Sequence, residues 1–138
     1  MFWELLEKIE KIYIKFCQRW HDNKKKKAER FGRLAESIAV CLLRLKLYTI
    51  LARRYRNGAG EIDIIATRHK TLAFIEVKAR TGASSMEVLL PNQQQRIMNA
   101  AEMFISNKPS YQNHIMRFDL IMVGTTHLPI HIPDAWRR

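Results

Sequence analysis

The chain has 138 residues, 47% of them hydrophobic, which is enough for one domain with a buried core and too few for two domains that each have their own core. Twenty-four lysines and arginines against 13 aspartates and glutamates give a formal net charge of +11, so nucleic acid and anionic membrane are the candidate partners. No stretch approaches the roughly 20 apolar residues of a membrane span, and charged residues interrupt the apolar start that a secretory signal needs. We therefore expect a soluble, cytoplasmic protein without a stable membrane span.

The first residues carry apolar side chains at steps of three and four, the spacing of one face of a helix. These side chains are Phe2, Leu5, Leu6, Ile9, Ile12, Tyr13, Phe16 and Trp20. An amphipathic helix is therefore predicted over residues 2–20. The lysines at 24–27 follow it, and this charge run is interpreted as a solvated linker rather than as a specific phosphate contact. The chain accordingly divides into an N-terminal amphipathic helix with a basic linker, residues 1–27, and a main domain, residues 28–138.

Two roles are open for this N-terminal helix. Its apolar face and the lysines behind it could lie on an anionic membrane, or the same face could pack on a second subunit of a homodimer. Glu4, Glu7 and Glu10 oppose the membrane version, because anionic lipid repels carboxylates.

A second helical pattern begins the main domain and runs from residue 28 to about residue 46. Glu36 lies beside the apolar stripe of this helix, near its middle. Cys17 and Cys41 both fall within apolar helical patterns and outside any CxxC or Cys/His cluster. The two cysteines are therefore interpreted as ordinary reduced core residues.

Three strands are predicted next, as a β-meander. Residues 48–55 favour β-structure and end in a turn at 57–60, where glycine supplies a positive φ. Apolar residues alternate over 61–66, and a strongly apolar run covers 72–79. A short turn joins these two strands, so they are expected to pair as a hairpin.

The last third of the chain predicts a helix and two more strands. Pro91 can open the helix, which ends near Asn107. Strands are predicted over 117–124 and 128–132. The order helix, three strands, helix, strand, strand predicts an α/β fold, in which helices flank a mixed central sheet.

The residues with the clearest chemical meaning are Asp63 in one strand and Glu76 and Lys78 in the next. Side chains two apart on a strand share a face, and a hairpin that turns at 68–70 brings Asp63 opposite Glu76. Two carboxylates suit a hard ion such as Mg²⁺, and a lysine beside it can balance developing negative charge. Judged by spacing alone, an ordinary group of surface charges is an equally good interpretation.

Ordered blocks around these residues resemble a family. The blocks are Gly32 to Glu36, Gly60 to Ala66, Phe74 to Arg80, Pro91 to Ile97, Arg117 to Asp119 and His131 to Trp136. From about residue 28 to residue 136 the chain is similar to the small bacterial UPF0102 (YraN-type) proteins, of the restriction-endonuclease-like PD-(D/E)xK superfamily. The N-terminal helix lies outside this resemblance.

The resemblance implies an active site and a reaction. It implies that Asp63 and Glu76 ligate Mg²⁺ or Mn²⁺, that Lys78 is the catalytic lysine, and that Glu36 reaches the site from its helix. It further implies a restriction-endonuclease-like sandwich that hydrolyses phosphodiester bonds in DNA, with branched or structured DNA as a candidate substrate. The alternative is a nucleic-acid-binding accessory protein of DNA processing or uptake that keeps the fold without turnover.

Substrate contacts are predicted for Arg80, Gln94 and Arg96. Arg80 projects to the same face as Lys78, where it could hold a phosphate or end as a solvated strand terminus. Gln94 could hydrogen-bond the backbone, the lysine or solvent. The chain departs from the family at Gln93, where a lysine is usual, so a phosphate contact expected of that lysine is not carried over.

Overall fold

The computed structural model describes residues 1–18, 24–80 and 89–138, and within these it contains helices and strands in the predicted order. The helices are α1 (Phe2–Gln18), α2 (Lys24–Leu45) and α3 (Pro91–Ser106), with a short 3-10 turn at Pro109–Tyr111. The strands are β1 (Thr49–Asn57), β2 (Gly60–Arg68), β3 (Thr71–Arg80), β4 (Ile115–Gly124) and β5 (Ile130–Trp136).

The strands form one mixed sheet in the order β1-β2-β3-β4-β5. The first three strands are an antiparallel meander, β3 and β4 are parallel, and β4 and β5 are antiparallel. A parallel pair needs a crossover connection, and α3 lies within the segment that joins β3 to β4. Ile64 pairs with Ile75 and Arg68 with Thr71, which confirms the predicted position of the hairpin turn.

Helices cover both faces of the sheet, so the α/β sandwich is confirmed at the level of its layers. On one face, Ala35, Ala39 and Leu43 of α2 pack in a cluster with Ile64 and Ile75. On the other face, α3 packs against a second cluster that includes Ile65, Phe74 and Phe118. Because the sheet is buried on both sides, its central strands are strongly apolar.

Two details differ from expectation, and the end of the first helix cannot be compared. α2 begins at Lys24, so the lysine run has a helical backbone rather than that of a linker, in keeping with the good helix propensity of lysine. α1 ends at Gln18, and the last two residues of the helix predicted to reach residue 20 lie outside the described ones. Cys41 is exposed, so the core interpretation was wrong for it. It lies on the outer side of α2, where it borders an apolar groove.

Among the described residues, no helix combines the length and the apolar character that crossing a membrane requires.

Candidate active site

The site begins where β2 separates from β3. The backbone pairing of the two strands reaches Ile64 and Ile75, and at the next position the Oδ2 atom of Asp63 accepts a 2.8 Å hydrogen bond from the amide of Val77. Ile62 packs on the α3 side and Ile64 on the α2 side, although residues two apart normally share a face. The strand therefore rotates at Asp63, whose carboxylate takes the place of a backbone acceptor.

This arrangement brings Asp63 beside Glu76, so that each carboxyl group affects the pKa of the other. Burial raises the pKa of Glu76 to about 8; the charge of Asp63 adds to this increase, and Lys78 opposes it. Burial also raises the pKa of Asp63, against the opposing effect of the Val77 amide.

Lys78 supplies a positive charge beside the pair. Its Nζ atom lies 3.5 Å from Oε1 of Glu76. Val77 packs on the opposite side of the sheet with α2, which confirms that Glu76 and Lys78 share a face. One lysine against two carboxyl groups leaves the cluster with excess negative charge when both are ionised.

A cavity of about 530 Å³ opens in front of Asp63 and Glu76. Its walls come from the β1–β2 hairpin and the first two turns of α3, and they include Arg56, Glu61 and Arg96. Positively and negatively charged side chains therefore line the cavity together with the two carboxyl groups.

Asn57 fixes the hairpin against α3. Its Oδ1 atom accepts hydrogen bonds from the amides of Ala59 (2.9 Å) and Gly60 (3.2 Å), and its Nδ2 atom donates to the carbonyl of Ala100 at 3.0 Å. A side chain at Gly60 would place its Cβ only 3.1 Å from the carbonyl oxygen of Arg96. The turn residues read from the sequence thus also hold one wall of the cavity close to the helix.

Glu36 approaches the site from α2, on the other side of the sheet. Its Oε2 atom accepts a 2.6 Å hydrogen bond from Nε of Arg54. The charge of Glu36 contributes to the raised pKa of Asp63. Glu36 is therefore an electrostatic neighbour of the carboxyl pair, although it does not border the cavity.

Arg54 is a residue that the sequence interpretation missed. It lies between two paired positions, Arg53 with Ile64 and Tyr55 with Ile62, which puts it opposite Asp63. Its φ of 50° is in the left-handed region, uncommon for a residue with a side chain. The position of Arg54 could have been predicted from the turn at 57–60. If Asn57 pairs with Gly60, the antiparallel register places residue 54 opposite residue 63.

The predicted substrate contacts separate into two groups. Arg96 borders the cavity, and so does Gln93, which had been set aside as a departure from the family. Gln94 donates instead to the carbonyl of Leu89 at 3.0 Å, which is the backbone option, and it does not border the cavity. Arg80 is half-buried at the end of β3, two residues beyond Lys78 and outside the described cavity wall.

The donor set suits a hard divalent cation that retains several waters. In the part of the chain that the structure describes, no three histidine, cysteine or acidic side chains are grouped as a metal site. Two adjacent carboxyl groups are the usual protein contribution to Mg²⁺, which fills its other positions with water and phosphate. The pair formed by Asp63 and Glu76 thus fits Mg²⁺ or Mn²⁺ better than it fits a cation held by protein ligands alone.

Comparison with known proteins gives a consistent result. The sequence profile described as "Uncharacterised protein family UPF0102" matches residues 35–123. A UPF0102 protein of Paramagnetospirillum magneticum is 45% identical over 115 residues, 80% of this chain and 89% of that protein. UPF0102 proteins of Parvibaculum lavamentivorans and Agrobacterium fabrum are each 44% identical, over 80% and 83% of this chain and 84% and 94% of their own lengths.

Proposed function

The chain belongs to the uncharacterised protein family UPF0102, and from the geometry of its site we propose that it is a divalent-metal-dependent endonuclease acting on DNA. The observation that carries the proposal is the half-buried carboxyl pair of Asp63 and Glu76, with Lys78 on the same strand face, at the floor of a cavity bordered by arginines. The same pattern of Asp, Glu and Lys on diverging strands motivates assignment to the restriction-endonuclease-like PD-(D/E)xK fold.

Electrostatics supports a cation at this pair. Two ionised carboxylates in a half-buried position repel each other and lose hydration, which is costly unless a positive charge compensates. The raised pKa of Glu76 is the consequence of that cost. Mg²⁺ or Mn²⁺, when bound, would polarise the scissile phosphate and lower the pKa of a coordinated water.

The surrounding residues have distinct roles in this proposal. Lys78 balances negative charge that develops on the phosphate, because its ammonium lies beside Glu76 on the cavity side of β3. Arg96 and Arg56 hold phosphate oxygens of the DNA backbone at the cavity wall. Arg54 and Glu36 hold each other at 2.6 Å next to Asp63, so they act as positioning residues.

A non-catalytic accessory protein is the second candidate, and the net charge of +11 is the observation that favours it. Such a charge explains DNA affinity by counterion release without any turnover. The two candidates differ in what the carboxyl pair is needed for. The endonuclease requires the pair for cleavage, whereas the accessory protein requires only the basic surface.

The test compares cleavage of branched, flapped and single-stranded DNA by the wild type and by Asp63→Asn in Mg²⁺ and Mn²⁺. Asparagine keeps an oxygen acceptor for the Val77 amide, so the variant should fold while losing a metal-ligating charge. Glu102→Gln is the matched control, because Glu102 lies on α3 away from the cavity and pairs with Arg138. We expect cleavage by the wild type and by the control only. Equal cleavage by Asp63→Asn would refute the assignment, and binding without cleavage under either metal would establish the accessory protein.

A further inference from the structure

α1 has one apolar face, and its own chain covers this face only in part. Tyr13 is buried, whereas Phe2 and Ile12 are each 67% exposed and Leu5 is 49% exposed. Together with Ile9 and Phe16 these residues recur at steps of three and four, so they form one continuous stripe on the helix. Exposed apolar stripes of this kind mark an interaction surface.

The stripe continues into an apolar groove of about 400 Å³ between α1 and α2. Ile9 and Ile12 border the groove from α1, and Ile38, Leu42 and Leu45 border it from α2. Leu45 is itself 52% exposed. The surface offered is therefore wider than one helix face.

We propose that this surface, the stripe of α1 with its adjoining groove, binds the same surface of a second copy of the chain, with the two α1 helices antiparallel. The stripe is self-complementary about Ile9, because Phe2 lies seven residues before it and Phe16 seven residues after it. A two-fold axis through Ile9 thus sets Phe2 of one copy against Phe16 of the other, as an isologous interface requires.

Charge also selects a second copy as the partner. Glu4 and Lys15 are eleven residues apart, about three helical turns, so they border the same side of the stripe. They lie five residues before and six residues after Ile9, and the antiparallel pairing therefore brings Glu4 of each copy to Lys15 of the other.

The total charge of α1 also favours a second copy of the chain as the partner. Its three glutamates and three lysines sum to zero, while the whole chain carries +11. Two copies therefore repel each other through their remaining surfaces and meet without repulsion through α1. An anionic lipid surface, in contrast, would favour the basic remainder of the chain over this neutral helix.

The test measures the oligomeric state of the full chain by sedimentation equilibrium at micromolar concentrations. We expect a dimer for the wild type, and a dissociation constant raised about a hundredfold by Ile12→Lys, which buries a charge at the interface. Ile12 is mostly exposed in one copy, so circular dichroism and the unfolding temperature should match the wild type. A wild type that is monomeric throughout, or an Ile12→Lys variant that dimerises as well as the wild type, would overturn the proposal.

Charge reversal tests the antiparallel arrangement itself. Glu4→Lys and Lys15→Glu should each weaken self-association about tenfold, because each places like charges together twice per dimer. An equimolar mixture of the two variants should regain wild-type affinity, since both contacts of the mixed dimer are again opposite in sign. Glu7→Lys is the matched control, because Glu7 lies on the far side of α1 and should leave the dissociation constant unchanged.

The mixture also separates the possible partners. Failure of the mixture to recover affinity would refute the antiparallel pairing. A monomeric wild type that floats with phosphatidylglycerol vesicles would instead assign the stripe to a lipid surface and overturn the proposal.

Discussion

The carboxylate of Asp63 accepts a 2.8 Å hydrogen bond from the backbone amide of Val77, at the point where their two strands stop pairing. This contact holds Asp63 beside Glu76. Two acidic groups are therefore kept close together, at a cost to the stability of the protein. Residues arranged for a ligand commonly carry such a cost.

The first prediction concerns the stability of Glu76→Gln. In the unfolded chain the pKa of Glu76 is about 4.5, whereas in the folded protein burial and the charge of Asp63 raise this pKa to about 8. The folded state thus binds the extra proton between these pH values, and its stability falls as the pH rises through this window. At pH 8 in EDTA the variant should be more stable than the wild type by at least about 1.4 kcal/mol, the equivalent of one pKa unit.

Urea denaturation from pH 4 to pH 8.5 measures this difference. The gap between the two proteins should shrink as the pH approaches 4, where Glu76 is protonated in both states. Glu61→Gln is the control, because Glu61 is exposed and pairs with Arg56 at the surface. A wild type more stable than Glu76→Gln at pH 8 would show that the pair is not under electrostatic stress.

The second prediction concerns metal affinity. The wild type should bind Mn²⁺ and release protons on binding, since carboxyl groups must ionise to become ligands. Asp63→Asn should raise the dissociation constant for Mn²⁺ at least about tenfold. Mutating a residue that only hydrogen-bonds a metal ligand lowers metal affinity ~10–100-fold, and the loss of a ligand itself should cost no less. Electron paramagnetic resonance of free Mn²⁺ gives the affinity, and calorimetry in buffers of different ionisation enthalpy gives the proton count. Unchanged binding in Asp63→Asn would place the ion elsewhere.

The sequence predicted the central pair because local signals determined it. The turn between β2 and β3 sets the register, and the register sets Asp63 against Glu76. The turn at 57–60 placed Arg54 against Asp63, but its left-handed φ and its contact with Glu36 depend on the folded structure and could not be predicted from the sequence. The sequence left three partners open for Gln94, because a helix start leaves backbone groups nearby, and in the structure its amide donates to the Leu89 carbonyl.

The third prediction compares two glycines of the same hairpin. Gly60→Ala places a methyl group 3.1 Å from the backbone oxygen of Arg96, so α3 or the hairpin must shift. We expect a loss of about 1–3 kcal/mol in the free energy of unfolding, as for overpacking elsewhere, together with weaker cleavage. Gly58→Ala has no heavy atom within 4 Å of the added carbon and should change neither quantity. Equal behaviour of the two variants in denaturation and cleavage assays would mean that the close approach at Gly60 is relieved without consequence.

The fourth prediction concerns Asp119, which is fully buried. Its carboxylate accepts hydrogen bonds from Arg117 and His131 at 2.8 Å and from the Asp134 amide at 3.0 Å. Asp119→Ala leaves these donors without their acceptor and should cost about 3–5 kcal/mol. Asp134→Asn removes only a surface ion pair with Arg137 and should cost less than about 1 kcal/mol.

The hydrogen bonds of Asp119 also predict how the stability of the protein depends on acidic pH. Burial alone would raise the pKa of Asp119, but the hydrogen bonds from His131, Arg117 and the Asp134 amide hold it below its usual value. Its contribution is present above the unfolded pKa of 3.8 and is lost as the pH falls through the folded value. Urea midpoints measured from pH 7 downward should therefore fall on acidification in the wild type, and the part due to Asp119 should be missing in Asp119→Asn. An identical acid dependence in both proteins would contradict this assignment.

The last prediction concerns the arginines of the cavity wall. Arg96 borders the same cavity as the carboxyl pair, and in the proposed function it holds a phosphate of the DNA backbone. Arg96→Ala should weaken DNA binding and lower the slope of log affinity against log salt by about 1, the signature of one lost phosphate contact. Arg44→Ala removes an exposed arginine from the last turn of α2, outside the cavity, and serves as the control for total charge. Fluorescence anisotropy with Ca²⁺ across a salt series gives both slopes. If the two variants reduce the slope equally, DNA affinity depends on the total charge of the chain and the cavity has no special part in binding.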